Sequence, residues 1–336
     1  MGEIATKHVS KDDSSGIGET LAKRGLAVDK FIRYIAIVAL FIIFSITANN
    51  FFTMRSILSM ALQTSAITIM GIGETFAIIT AGIDLSIGSV IALSGTVAVM
   101  AAIAGIPIWL SMIIGLLVGV VCGLLNGLMI TKMKLPPFIA TLGMMMVARG
   151  VALTITNANA WPAPEGFGGL GNGAIFGTGP QFPGISYPVL IMIAVAIVFS
   201  FILGKTRLGR YTYAVGSNEE AARRAGINVN RVKTVTYIFS GLLAALVGII
   251  LASRMTTSQP NSAIGYEMNA IAAAVIGGTS LMGGVGTIGG TVLGSFIIGI
   301  LTVGLTMAGA NYFMQQIVIG LVVVGAVTID QLKGRK

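Results

Sequence analysis

The chain has 336 residues, of which 55% are hydrophobic and only 10% are charged, and its mean hydropathy is +0.91. A soluble domain carries about 25% charged residues, so this composition excludes a soluble protein and predicts one embedded in a lipid bilayer. The net charge is +9, but the basic residues lie in loops and tails, as the positive-inside rule expects, which argues against a nucleic-acid partner. With Cys122 as its one cysteine, the chain can form neither a disulfide framework nor a cysteine metal site.

The two ends of the chain differ from its apolar middle. The first 30 residues are polar, and the apolar segment after them lacks a small-residue cleavage site, which predicts a cytoplasmic tail rather than a signal peptide. A transmembrane domain is predicted over residues 31–330. A second, basic cytoplasmic tail is predicted over residues 331–336.

Ten apolar segments predict an all-α, polytopic membrane protein with about ten transmembrane helices. An even number of spans places every basic cluster, and both termini, in the cytoplasm. The eighth segment is short and ends in a glycine cluster, so a re-entrant segment is its main alternative. The predicted spans are residues 31–50, 57–81, 86–104, 108–131, 137–157, 186–204, 234–252, 268–282, 286–307 and 311–330.

Glycine-rich breaks occur at two places, each between two apolar spans. They lie in TAGIDLSIGSVIALSG, residues 80–95, and in IGGTSLMGGVGTIGGTVLG, residues 276–294. Duplicated broken segments are typical of transporters, because unwound backbone at membrane depth is tolerated only where it lines a cavity or is buried in protein. The sequence therefore predicts broken helices and a weak internal repeat. A close contact between helices is predicted instead where glycines fall four apart, at Gly115, Gly119, Gly123 and Gly127.

Two long connections are predicted on opposite sides of the membrane. Residues 157–187 are rich in glycine and proline and predict an external loop, whereas residues 205–233 are charged and predict a cytoplasmic loop. In the cytoplasmic loop, Ser217 and Glu220 form a capping-box pattern and Gly226 supplies a left-handed terminator, which predicts a helix of about two turns. Such a helix could transmit a push from a cytoplasmic partner, although any cytoplasmic loop can be basic and helical.

Four segments, in order along the chain, resemble the permease subunits of ribose, galactose and xylose type ATP-binding cassette importers. They are AGIDLSIGSV from Ala81, LPPFIATLGMM from Leu135, TRLGRYTYAVGSNEEAARRAGINV from Thr206 and AIAAAVIGGTSLMGGVG from Ala270. The resemblance covers residues 31 to 330. It implies ATPase docking on the cytoplasmic helix, through Gly216, Ser217, Asn218, Glu219, Glu220, Ala221, Ala222, Arg223 and Gly226.

The resemblance also implies the partners of the chain. They are a second copy of itself in the bacterial inner membrane, membrane lipid, a cytoplasmic ATPase and an extracytoplasmic sugar-binding protein. The ATPase would use ATP and Mg²⁺, while this chain would bind no cofactor and catalyse no reaction. The specificity of such importers rests largely on the binding protein, so the sequence predicts a monosaccharide such as ribose only as a class.

A neutral sugar suits a pathway with few charges, lined by hydroxyls, amides and aromatic rings. Asp84 is a functional candidate because it is ionisable at membrane depth, but it can also stabilise the break by capping the third span. The competing function is an ion- or proton-coupled secondary transporter, in which Asp84, Glu74 and Arg149 would be the coupling groups. The predicted pathway residues are Asp84, Ser86, Asn126, Phe138, Thr141 and Thr279.

Overall fold

The computed structural model describes residues 33–177 and 184–334, so the predicted N-terminal tail and the last two residues of the C-terminal tail lie outside the described residues. The described part is all-α apart from four two-residue strands, which confirms the predicted class. Its helices are α1 Arg33–Thr47, α2 Met54–Ile79, α3 Ile87–Ile103, α4 Ile108–Thr131, α5 Pro137–Thr156, α6 Gly169–Asn172, α7 Tyr187–Lys205, α8 Arg207–Ser217, α9 Glu219–Arg224, α10 Val229–Met255, α11 Tyr266–Ile276, α12 Ile288–Met307 and α13 Tyr312–Gly334.

Six helices in the described part are long and apolar enough to cross a membrane, namely α2, α4, α5, α7, α10 and α12. Shorter apolar helices lie at the other four predicted positions. The eighth of the ten, α11, has 11 residues. At 1.5 Å per residue it is about 16 Å long, roughly half the thickness of the hydrocarbon core. A half-length helix agrees with the re-entrant alternative and not with a helix over residues 268–282.

Helix α10 lies at the centre and packs against α2, α3 and α4. Helices α10 and α4 approach so closely that their backbones are in contact. A Cβ added at Gly119 would overlap the carbonyl oxygen of Gly241, and one added at Gly123 would overlap that of Tyr237. The four-residue glycine spacing in α4 is therefore a packing surface, as predicted.

The two glycine-rich breaks contact each other. The first break, residues 80–86, separates α2 from α3, and the second break, residues 277–287, separates α11 from α12. The backbone N–H of Gly284 donates at 2.9 Å to the carbonyl oxygen of Ile79, the last residue of α2, and a Cβ added at Gly283 would lie 3.0 Å from that of Ala81 in the first break. Gly283 and Gly284 have φ values of +85° and +72°, a conformation that only glycine adopts readily. Two segments that resemble each other in sequence thus form one non-helical layer between helices.

The segment predicted as an external loop contains short ordered elements. Strand β1, Trp161–Pro162, pairs antiparallel with β4, Thr257–Ser258, and β2, Ala174–Ile175, pairs with β3, Ile185–Ser186. Phe167 is fully buried in a cluster with residues of α3 and α10. The described part of this segment is therefore packed against the bundle as a cap.

Candidate functional site

The cytoplasmic loop holds two helices rather than one. Thr206 caps α8 by accepting a hydrogen bond from the N–H of Gly209 at 3.3 Å. Helix α9 is anchored by Ala222, which packs in a buried cluster with Val215 of α8 and Val232 of α10. Most residues of the predicted docking set are exposed, while Ala222 is buried beneath them. The short helix is thus packed against α8 and α10 through Ala222 and exposes its opposite face.

The residue that caps α9 differs from the predicted one. Ser217 is the last residue of α8, and the side-chain oxygen of Asn218 accepts the N–H of Ala221 at 2.9 Å. The capping-box prediction for Ser217 and Glu220 is therefore wrong, because α8 extends through Ser217 and leaves Asn218 as the first non-helical residue. The predicted terminator is confirmed: Gly226 has a φ of +83°, and the N–H of Ile227 donates to the carbonyl of Ala222, as in a Schellman motif.

Charged side chains tie α9 to itself and to α10. Glu219 bonds Arg223 at 2.9 Å along the helix and Lys233 of α10 at 2.6 Å, and Glu220 pairs with Arg224. The hydrogen bond from Lys233 holds the pKa of Glu219 below its usual value. Exposed pairs contribute little stability, so the bond to half-buried Lys233 is the one that orients α9.

The end of α8 lies against the last residue of α2, just before the first break, and against the second break. A Cβ added at Gly216 would overlap the carbonyl oxygen of Ile79 and would lie 2.6 Å from the backbone nitrogen of Gly284. We call this contact of Gly216, Ile79 and Gly284 the junction. A second contact supports it, since the hydroxyl of Tyr213 donates to the carbonyl of Gly286 at 2.7 Å. The C-terminal part of α8 is therefore in direct contact with the end of α2 and with the second break.

Replacing Asn218 with alanine should loosen the first turn of α9. Loss of an N-cap costs about 1 kcal/mol, which corresponds to roughly fivefold faster hydrogen exchange at the Ala221 amide if that amide opens locally. Ser217→Ala is the matched control, because the Ser217 hydroxyl makes no hydrogen bond within the described residues. Equal protection of Ala221 in both variants, measured by exchange in nanodiscs, would contradict the assignment of the cap.

Three predicted pathway residues form one buried network at the first break. The carboxylate of Asp84 accepts bonds from the N–H and hydroxyl of Ser86, at 2.9 and 2.5 Å, and from the hydroxyl of Ser240 at 2.7 Å. The amide of Asn126 donates to the Ser86 hydroxyl at 2.9 Å. All four residues are buried. Asp84 thus links the start of α3 to α10, which supports the break-stabilising interpretation.

The remaining predicted pathway residues lie in three different settings. Thr141 is buried and donates to the carbonyl of Ile83, which ties α5 to the first break. Thr279 is buried in the second break, and its hydroxyl has no hydrogen-bond partner among the described residues. Phe138 is 52% exposed on α5. A role for the six residues in contacting sugar stays a prediction.

The coupling groups of the competing function are divided between two places. Glu74 is buried beside Asp84 and accepts the backbone N–H of that residue at 3.1 Å. Arg149 donates to the carbonyls of Pro260 and Ser262, at 2.6 and 2.8 Å. Glu74 therefore holds the backbone of the first break, whereas Arg149 holds the turns that lead into α11.

A polar cavity lies among α2, α10, α11, α12 and α13, with a volume of about 320 Å³. We call it the amide cavity, because its wall includes the side chains of Gln63, Asn269, Gln315 and Gln316. None of these four residues is among the predicted pathway residues. Their signal was available, since carboxamides inside apolar spans are rare and mark functional positions, but nothing in the sequence indicated that helices so far apart in the chain would meet.

Comparison with known proteins places the chain in a transporter family. The family model described as the permease component of the branched-chain amino acid transport system matches residues 56–327. The chain is 43% identical over 303 residues to the ribose import permease protein RbsC of Escherichia coli strain K12, covering 89% of this chain and 92% of that protein. It is 42% identical to RbsC of Bacillus subtilis strain 168, with the same coverage.

A third relative extends the comparison to another named sugar. The chain is 37% identical over 320 residues to the L-arabinose transport system permease protein AraH of E. coli strain K12, with 95% of each chain covered. Identity of this extent over nearly the whole length shows common descent of the entire membrane domain. The chain belongs to the family of branched-chain amino acid transport system permease components.

Proposed function

We propose that this chain is the membrane-spanning permease subunit of an ATP-binding cassette importer that moves ribose or a related monosaccharide into the cytoplasm. The observation that carries the proposal is the 43% identity, over 89% of the chain, with the ribose import permease. The chain works as a homodimer in the bacterial inner membrane, multi-pass and with both termini cytoplasmic. ATP and Mg²⁺ act in a separate ATPase, and an extracytoplasmic binding protein delivers the sugar.

The geometry of the cytoplasmic loop supports a mechanism of alternating access. The ATPase docks on the exposed face of α9, which Lys233 and the cluster around Ala222 hold against α8 and α10. Closure of the ATPase moves α9 and α8, and the junction passes the movement to both breaks. The breaks are the bistable elements, because non-helical backbone at membrane depth can rearrange without unfolding a helix.

The description of the family favours a second substrate class, the branched-chain amino acids. Three relatives with names that specify substrates, however, are permeases for ribose, D-allose and L-arabinose. The decisive experiment is uptake by proteoliposomes that contain the permease, a candidate ATPase that copurifies with it, and a candidate sugar-binding protein. We expect ATP-dependent uptake of radiolabelled ribose, with no uptake of leucine.

Two outcomes would contradict the proposed function. Leucine uptake in place of ribose uptake would assign the amino-acid class. Uptake that needs an ion gradient, and that persists without the ATPase, would assign a secondary transporter. Liposomes with the permease alone are the control, and we expect them to take up neither solute.

A further inference from the structure

The amide cavity contains two carboxamides without a hydrogen-bond partner among the described residues. The side chains of Gln63 and Asn269 make no hydrogen bond, and the guanidinium of Arg254 makes no ion pair, within residues 33–177 and 184–334. Polar groups left unpaired at membrane depth are costly, because hydrocarbon offers no hydrogen bonds. This wall therefore faces water or a hydrogen-bonding ligand rather than lipid tails.

The positions of the lining residues along their helices show on which side of the membrane the amide cavity opens. Arg254 lies near the C-terminal end of α10, Gln315 near the N-terminal end of α13, and Thr302 near the C-terminal end of α12. These are the helix ends opposite to the cytoplasmic loop, which joins α7 to α10. Gln63 lies deeper, well inside α2. The amide cavity thus opens on the external side and reaches inward between the helices.

The chemistry of the wall selects one class of ligand. Carboxamides donate and accept at once, as hydroxyl groups do, and Tyr266 and Thr302 add an aromatic ring and a hydroxyl. The lining contains Arg254 but no acidic residue. A cation would meet the charge of Arg254 with no carboxylate to offset it, and a zwitterionic amino acid would leave its ammonium without a carboxylate. A volume of about 320 Å³ is at the small end of ligand pockets.

We propose that the amide cavity is the outward-facing binding site through which a neutral, polyhydroxylated ligand of monosaccharide size enters the permease. The site rests on the proposed function, because it names where the imported sugar is held. Gln63 and Asn269 hydrogen-bond the sugar hydroxyls, Tyr266 packs against the ring, and Arg254 donates to ring or hydroxyl oxygens near the entrance.

Single-cysteine labelling tests the site without requiring transport. In a Cys122→Ala background, Asn269→Cys and Thr302→Cys should react with a membrane-impermeant thiol reagent applied from outside, and ribose should slow both reactions. Val324→Cys, at an exposed apolar position of α13, should not react. Glu165→Cys in the external segment should react freely, and Arg224→Cys on α9 should be protected, which checks the orientation of the vesicles.

Transport by the reconstituted complex supplies a second readout. Asn269→Leu and Gln63→Leu should each lower ribose uptake about 3- to 10-fold, the value of one or two lost hydrogen bonds. Val324→Leu is the matched control. Labelling of Asn269→Cys no faster than Val324→Cys, or labelling that ribose does not slow, would overturn the site. If wild-type uptake of ribose is normal in that case, the proposed function survives; if wild-type uptake fails, the proposed function itself is wrong.

Discussion

Gly216→Ala is expected to disconnect ATP hydrolysis from sugar movement. The added methyl group would overlap the carbonyl oxygen of Ile79 and crowd the nitrogen of Gly284, the two groups whose hydrogen bond joins the end of α2 to the second break. Because the obstacles are backbone atoms, rotation of a side chain cannot relieve the contact. Overpacking of this kind costs about 1–3 kcal/mol, so we expect ribose uptake to fall about tenfold or more.

Gly204→Ala is the matched control for this substitution. Gly204 lies near the C-terminal end of α7, and an added Cβ there meets nothing within 4 Å. Both variants should copurify with the ATPase at wild-type levels, since neither changes the exposed face of α9. Uptake by Gly216→Ala equal to that of Gly204→Ala, at matched membrane abundance, would show that the junction does not transmit the movement.

Sequence patterns predicted those features that depend on residues near each other in the chain, such as helix positions and helix ends. Apolar runs located the helices, and Gly226 ended α9 because a left-handed residue must follow the last turn. The error at the start of α9 has a local cause as well. Ser217 and Asn218 are both good N-cap residues, and only the length of α8, which ends at Ser217, decides between them.

Features built from distant residues could not be predicted in the same way. Asp84 meets Asn126 and Ser240 on two other helices, and the amide cavity takes one or more side chains from each of five helices. Hydrophobic periodicity shows which side of a helix is polar, but it does not show which other helix will pack against that side. The junction could not be predicted either. Glycines that allow close approach are abundant in this chain, and only the fold shows which residues each glycine contacts.

Asp84→Leu is expected to disrupt the first break, and Asp84→Asn is expected to preserve it. The carboxylate accepts from the N–H of Ser86 on one oxygen and from the hydroxyl of Ser240 on the other. Leucine would leave these buried donors without an acceptor, at about 1–3 kcal/mol for each group that finds no new partner. We expect lower membrane abundance and loss of most uptake. Asparagine keeps one oxygen for Ser86, and its amide can donate to the Ser240 hydroxyl, which accepts as well as donates.

The same pair of variants separates a structural carboxylate from a proton-coupling one. An amide cannot exchange a proton, so a proton-coupled carrier should be as inactive with asparagine at position 84 as with leucine. An ATP-driven importer should retain much of its uptake in Asp84→Asn. The measurement is ribose uptake by both variants at matched membrane abundance, with the proton gradient collapsed and ATP maintained. Uptake that vanishes with the gradient in the wild type, together with an inactive Asp84→Asn, would assign Asp84 and Glu74 to a proton relay, because Glu74 holds the backbone of the same residue.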